Sequence, residues 1–145
     1  MRYAEAKQGR VFVLKFDHND DFLECILQFA ERENVMRGVV HFMGALKSAE
    51  IVCGPKRPVL PQKIYKNGFD DGREVLGMAT IFPDGGKPKV HVHASFGKNK
   101  HTLMGCMRES AEVYVVVEAV VTELVGISAC RKKDTETGLS LLNVE

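Results

Sequence analysis

The 145-residue chain lacks most of what would direct it outside the cell, into a membrane or onto a polyanion. Its four cysteines, Cys25, Cys53, Cys106 and Cys130, form no CxxC pair and are too sparse for a disulfide scaffold, which fits a reduced, cytoplasmic protein. No apolar run approaches the ~20 residues that a membrane span needs. The first ten residues, Met1 to Arg10, contain no apolar core, so no secretory signal is expected. The net charge is +1, which by itself gives little support for a phosphate-binding surface. There is no internal repeat, low-complexity tract or linker.

What is present describes a soluble domain. Apolar residues make up 45% of the chain and charged residues 27%. A chain of this length buries ~70% of its unfolded surface, so a single domain over residues 1–145 needs no covalent staples. Charge is unevenly spread: residues 55–101 carry nine Lys or Arg against four Asp or Glu, while both flanks are net acidic. Solvated loop lysines account for this, although such a segment can also meet an anion.

Taken in order, Arg10 to Phe16 is β-branched and aromatic and predicts a strand. Asn19 and Asp20 offer helix N-caps. Phe22, Leu23, Ile26, Leu27 and Ala30 then recur at helical spacing, which predicts an amphipathic helix ending near Asn34, with Glu24, Glu31, Arg32 and Glu33 outward. The acidic run before this helix needs no catalytic explanation. Gly38 to Val52 reads as two strands broken near Gly44, with His41 packed in the core. Pro55, Pro58 and Pro61 define a loop. Lys63 to Lys66 is a short strand, and Asn67-Gly68 and Asp71-Gly72 are turn signals. Arg73 to Phe82 is a strand with a bulge expected at Gly77. It turns through Pro83 to Pro88 into a hairpin partner. Residues 97–101 read as a loop. Ala111 to Val121 hardly alternates and reads as a strand buried on both faces, interrupted by Glu118. Leu124 to Cys130 is a further strand, Arg131 to Gly138 a loop, and Leu139 to Asn143 a short terminal segment. One early helix followed by strands joined by turns predicts an α+β fold. Its sheet is twisted and mainly antiparallel, and its helix is N-terminal.

The partner strand of that hairpin carries the chemistry. Lys89 to Gly97 holds His91 and His93 two residues apart, so both side chains leave one face of a strand, with Cβ atoms ~7 Å apart. Two imidazoles so placed can converge on one metal ion. His101 and Cys106 are the candidates for a third ligand.

These pieces together resemble the PPC domain of plants and prokaryotes, known for the plant AT-hook nuclear-localised proteins. The resemblance rests on the opening strand, Phe29-Ala30 in the helix, Gly44-Ala45-Leu46 with Ala49, Glu74 to Gly77, Lys87 to Ser95, and the strand around Glu118. It runs from about Arg10 to about Arg131. It implies a compact domain around an antiparallel sheet, usually a homotrimer, and it carries DNA binding by analogy with the plant members. The AT-hook contacts DNA through Arg-Gly-Arg, which this chain lacks. The family pattern has Gly-Gly-His-Leu after the His-x-His strand. Here Met104-Gly105-Cys106-Met107 stands in its place, so Cys106 occupies the position of a third histidine.

A thiolate is a good zinc donor, and His91, His93 and Cys106 would hold Zn²⁺ or another divalent transition metal with a fourth position open. Cys106 is preferred to His101, which lies in a lysine-rich segment. The plain alternative is two polar histidines on a half-exposed strand above a buried cysteine. Glu118 is a candidate general base or acceptor for a ligating imidazole, against pairing with a cation or facing solvent. Three functions follow: a metal-binding oligomer with no assigned reaction, a zinc-dependent hydrolase or lyase acting on a small anion, and a DNA-binding protein. A small sheet covered by one helix leaves an apolar face that a symmetric trimer would cover.

Overall fold

A computed structural model describes residues 1–144. It contains one helix and eight strands in a single sheet. They run β1 (Lys7–Asp17), α1 (Phe22–Arg32), β2 (Gly38–Pro55), β3 (Ile64–Phe69), β4 (Arg73–Asp84), β5 (Lys87–Lys98), β6 (His101–Val125), β7 (Cys130–Lys133) and β8 (Ser140–Asn143). The α+β class and the antiparallel sheet are as expected, with one parallel bridge, Asp84 to Arg131.

The pairings close on themselves. β2 pairs with β4 along one edge and β6 along the other, β6 pairs with β5, and β5 returns to β4. β1 lines the C-terminal half of β6. Side chains opposite one another across a ladder share a face, so the closed circuit has an inner and an outer side. The inner side is apolar. Val40, Phe42, Ala79, Ile81, Val92, Ala94, Phe96, Val117, Ala119 and Val121 are buried there.

The helix seals this core. Phe22, Ile26, Phe29 and Ala30 recur on its buried stripe. Phe22 packs against Phe16 and Phe42, and Phe29 against Phe12. Its N-cap is Asp21, not Asn19 or Asp20: the Asp21 carboxylate accepts from the Glu24 N–H at 3.0 Å. Asp20 instead accepts from the Asp17 N–H at 2.8 Å. At the other end Asn34 takes a left-handed conformation, φ 53°, and the Val35 N–H donates back to Ala30.

Several expectations are corrected. Gly38 to Pro55 is one continuous strand that bends at Gly44 and does not break there. Between the pairs Gly44–Val117 and Leu46–Val113, three residues of β6 face the single Ala45, so the bulge lies in β6 and not at Gly77. Gly77 stays in register with Ala94 and Phe42. Gly44 has φ +145°, and a Cβ there would sit 2.3 Å from the Val116 carbonyl oxygen, so only glycine suits the bend. Asn67-Gly68 lies within β3, paired to Ile51 and Glu50, because the neighbouring strand outweighs the local turn preference. The strand expected over 111–121 is part of one 25-residue strand that begins at His101. Its C-terminal half alternates: Val117, Ala119 and Val121 are buried while Glu118 and Val120 are exposed, so it is not buried on both faces. The strand expected over 124–130 is the end of β6, a turn at Gly126 and the start of β7. Residues 131–138 are strand and turn, and β7 pairs with β8 as a hairpin.

Candidate metal centre

Two tight turns set the geometry of the site. Gly85 and Gly86, both at positive φ, join β4 to β5 with Asp84 opposite Lys87. Asn99, at φ 55°, and Lys100 join β5 to β6 with Lys98 opposite His101. From that turn each step back along β5 is one step forward along β6, so His93 falls directly opposite Cys106. Cys106 is held close by its neighbour: a Cβ on Gly105 would lie 2.5 Å from the Val52 carbonyl oxygen, so glycine is what lets β6 approach β2 here.

The structure brings together the three preferred ligands. The His91 and His93 rings are 4.9 Å apart and nearly perpendicular. The donor atoms of His91, His93 and Cys106 all lie within 4.8 Å of one another. An ion at ~2.0–2.3 Å from nitrogen and sulfur needs donors roughly 3.5 Å apart, so modest side-chain rotation completes the fit. Neither imidazole hydrogen-bonds to another described residue, which leaves its ring nitrogens open to a ligand. His101 is outside the group: it is exposed at the start of β6, opposite Lys98.

The electrostatics suit a metal ligand set. Burial, with added repulsion from Arg131, His93 and Arg108, holds His91 well below the ordinary histidine value, at about 4. His91 is therefore neutral at pH 7, the form that ligates. Cys106 is buried at 4% exposure, which pushes its thiol up, while Arg108 and Arg131 act in the opposite direction. Metal binding would displace the thiol proton.

Glu118 and His41 lie elsewhere. Both are exposed and line a separate cavity of about 410 Å³ with Val13, Met43, Leu76 and Val120. Glu118 sits opposite Lys15 and Met43 and is not gathered with the three ligands. His41 is on the outer surface and not in the core, because the β2 alternation turns Val40 and Phe42 inward.

Two arginines are the residues the sequence reading missed. Arg108 stands two residues after Cys106 on the same strand and borders the cavities on both sides of the site. That spacing is a readable signal. Arg131 arrives from β7 through contacts far apart in sequence. Of the basic residues in 55–101, Lys66, Arg73, Lys89 and Lys98 are instead paired to Glu109, Asp71, Asp84 and Asp71.

Comparison with known proteins places this arrangement. The model of the Plants and Prokaryotes Conserved (PCC) domain matches residues 3–125. The chain belongs to that family, as its motifs suggested. A crystal structure of a metal-containing protein from Archaeoglobus fulgidus is similar, with TM-score 0.87 and 26% identity over 99% of each chain. A plant- and prokaryote-conserved protein from Pyrococcus horikoshii shares the fold, with TM-score 0.84 and 23% identity over 100% of this chain and 99% of that one. So does a protein from Bacteroides thetaiotaomicron provisionally described as DNA-binding, with TM-score 0.81 and 16% identity over 96% and 97% of the two chains. No curated protein matches the chain.

Proposed function

We propose that this family member is a metal-binding protein in which His91, His93 and Cys106 hold one divalent transition metal, zinc foremost, with a coordination position left open. The observation that carries this is the convergence of three donor atoms within 4.8 Å, one of them a buried cysteine directly across a ladder from a histidine. Two nitrogens and one sulfur form a donor set that zinc accepts readily. The metal content of the Archaeoglobus relative, which is 26% identical, supports the same reading.

The protein is further proposed to act in the cytoplasm as a single-domain homotrimer. The motive is an outer sheet surface too apolar to leave in water. Val13, Leu76 and Met43 are 82%, 66% and 59% exposed in the single chain. Among the described residues no helix is long and apolar enough to cross a membrane. The DNA-binding alternative has less support: Arg-Gly-Arg is missing, and four of the cations in the central basic segment already face carboxylates. It would also require affinity that falls steeply with salt.

The test is metal analysis of depleted protein re-equilibrated with limiting Zn²⁺, beside Cys106→Ala and His93→Ala. One equivalent per chain in the parent, lost in both variants, is the expected outcome. A parent that retains no stoichiometric metal would overturn the proposal.

A further inference from the structure

The β7–β8 hairpin crosses the outer side of β4 and β5 next to the histidines, and between hairpin and sheet lies a cavity of about 700 Å³. Lys89, Arg108, Arg131 and Lys133 all line it. Among the described residues the one carboxylate in its wall is Asp84, which already accepts from Lys89 at 2.9 Å and from the Ser140 hydroxyl at 2.7 Å. The side chains of Arg108 and Lys133 have no hydrogen-bond or ion-pair partner among the described residues.

Arg131 is the most telling of the four. It is half-buried, and among the described residues its terminal nitrogens donate to neutral oxygens, Thr80 Oγ1 at 3.1 Å and the Ser140 carbonyl at 3.4 Å. Its Nε is buried without a partner. A guanidinium withdrawn from water is costly unless an anion meets it, and no described carboxylate comes within ion-pair distance. A partnerless surface lysine is ordinarily just solvated. Three cations with no described carboxylate at ion-pair distance around one concavity, one of them withdrawn from water and reached by Asp84 only at longer range, are a different arrangement. They are also gathered into a pocket and not strung along a surface, as a nucleic-acid backbone would require. Val90, Leu139, Leu141 and Leu142 add apolar surface to the wall, beside the polar Thr80, His91 and Ser140. Cations and leucines lining one cavity, with Leu142 directly opposite Arg131, suit an amphipathic small molecule.

We infer that this cavity binds a small organic anion, its carboxylate or phosphate headgroup held by Arg131, Arg108 and Lys133 beside His91 and its short apolar body laid against Leu139 and Leu142. The site adds to the metal reading without depending on it, since every residue that holds the anion belongs to the metal-free protein.

The experiment is a nuclear magnetic resonance titration of metal-free protein with hexanoate, hexyl phosphate and inorganic phosphate. Saturable shifts confined to Arg131 and Leu139 to Leu142, with hexanoate or hexyl phosphate binding more tightly than inorganic phosphate, are expected. Which of the two organic ligands binds better identifies the headgroup. Arg108→Gln, an exposed substitution that leaves the hairpin in place, should weaken binding by ~tenfold. Arg131→Lys keeps the charge but loses the planar fork and should weaken it similarly. Absence of saturable shifts would overturn the inference, as would equal affinity in Arg108→Gln, or inorganic phosphate binding as tightly as the organic anions. The metal analysis fails or succeeds separately, because no metal enters this titration.

Discussion

One cross-strand row runs over the outer side of the sheet: Cys106, His93, Met78, His41, Val120, Val13, each opposite the next. Its two ends are built oppositely. At the first, ionisable groups are drawn partly out of water: Cys106 is 4% exposed and His91 and Arg131 are half-buried, while His93 stays exposed. At the second, groups that prefer an apolar surrounding stand in water: Val13 is 82% exposed and Val120 42%. The two ends differ in what borders them. The β7–β8 hairpin borders the first end at His91, and the β2–β3 segment borders it at His93 and Cys106, so its surroundings come from within one chain. Nothing among the described residues covers the second, where the proposed trimer would place another copy. Each end departs from the usual placement of polar and apolar groups, and each departure has its own functional reason.

The comparison is broken most sharply at its polar end. Removing one donor by Cys106→Ala or His93→Ala should weaken Zn²⁺ binding by more than ~100-fold, measured by competition with a chelator, since even outer partners of metal ligands are worth 10–100-fold. Circular dichroism of the same variants should match the parent. The next effect falls on the bend near the apolar end. Gly44→Ala would place a Cβ 2.3 Å from the Val116 oxygen at a φ of +145°, and should cost ~3 kcal/mol or more in urea unfolding. An unchanged midpoint would show that β2 and β6 part easily there.

The apolar end is tested by Leu76→Lys. Each copy would lose roughly 2 kcal/mol of interface burial and gain a charge to desolvate. Sedimentation should then shift from an assembled species to the monomer mass while zinc content stays at one per chain. A parent already at monomer mass would remove the stated reason for the exposed valines and methionines.

The smallest effect sharpens the contrast in burial. The folded pKa of His91, about 4, lies below its unfolded value of about 6.5. The unfolded chain therefore binds the extra proton first. The His91 contribution to stability of the metal-free protein should be flat above about pH 6.5 and decline as pH falls from there towards 4. Paired carboxylates such as Asp71 and Glu123, which are held low by Arg73 and Arg10, lose their contribution only further into acid. His91→Gln should flatten the slope between pH 6.5 and 5 in denaturant titrations, and a slope unchanged by that substitution would show that His91 is not desolvated.

Much of the polar end was legible in the chain itself. Period-two spacing places His91 and His93 on one face, and the family pattern marks Cys106. What hid the direct opposition of His93 and Cys106 was taking residues 97–101 for a loop. As a two-residue turn at Asn99-Lys100, with Asn99 at positive φ, the same segment dictates the register. Arg108 was within reach by the same alternation. Arg131 was not, because its place depends on β7 meeting β4 across some fifty residues, which local pattern does not encode. The apolar end misled for a related reason. Val113 to Val121 is apolar at inward and outward positions alike, and hydropathy cannot distinguish a face buried in one chain from a face buried between chains. Asn67-Gly68 shows the converse, a strong turn signal overridden by pairing with Ile51 and Glu50.

X-ray absorption at the zinc edge of the reconstituted protein reads the donor set directly. One sulfur at ~2.3 Å with nitrogen or oxygen neighbours at ~2.0–2.1 Å is the predicted shell, and the sulfur should vanish in Cys106→Ala. A shell without sulfur in the parent, or one unchanged by that substitution, would contradict the assignment of His91, His93 and Cys106.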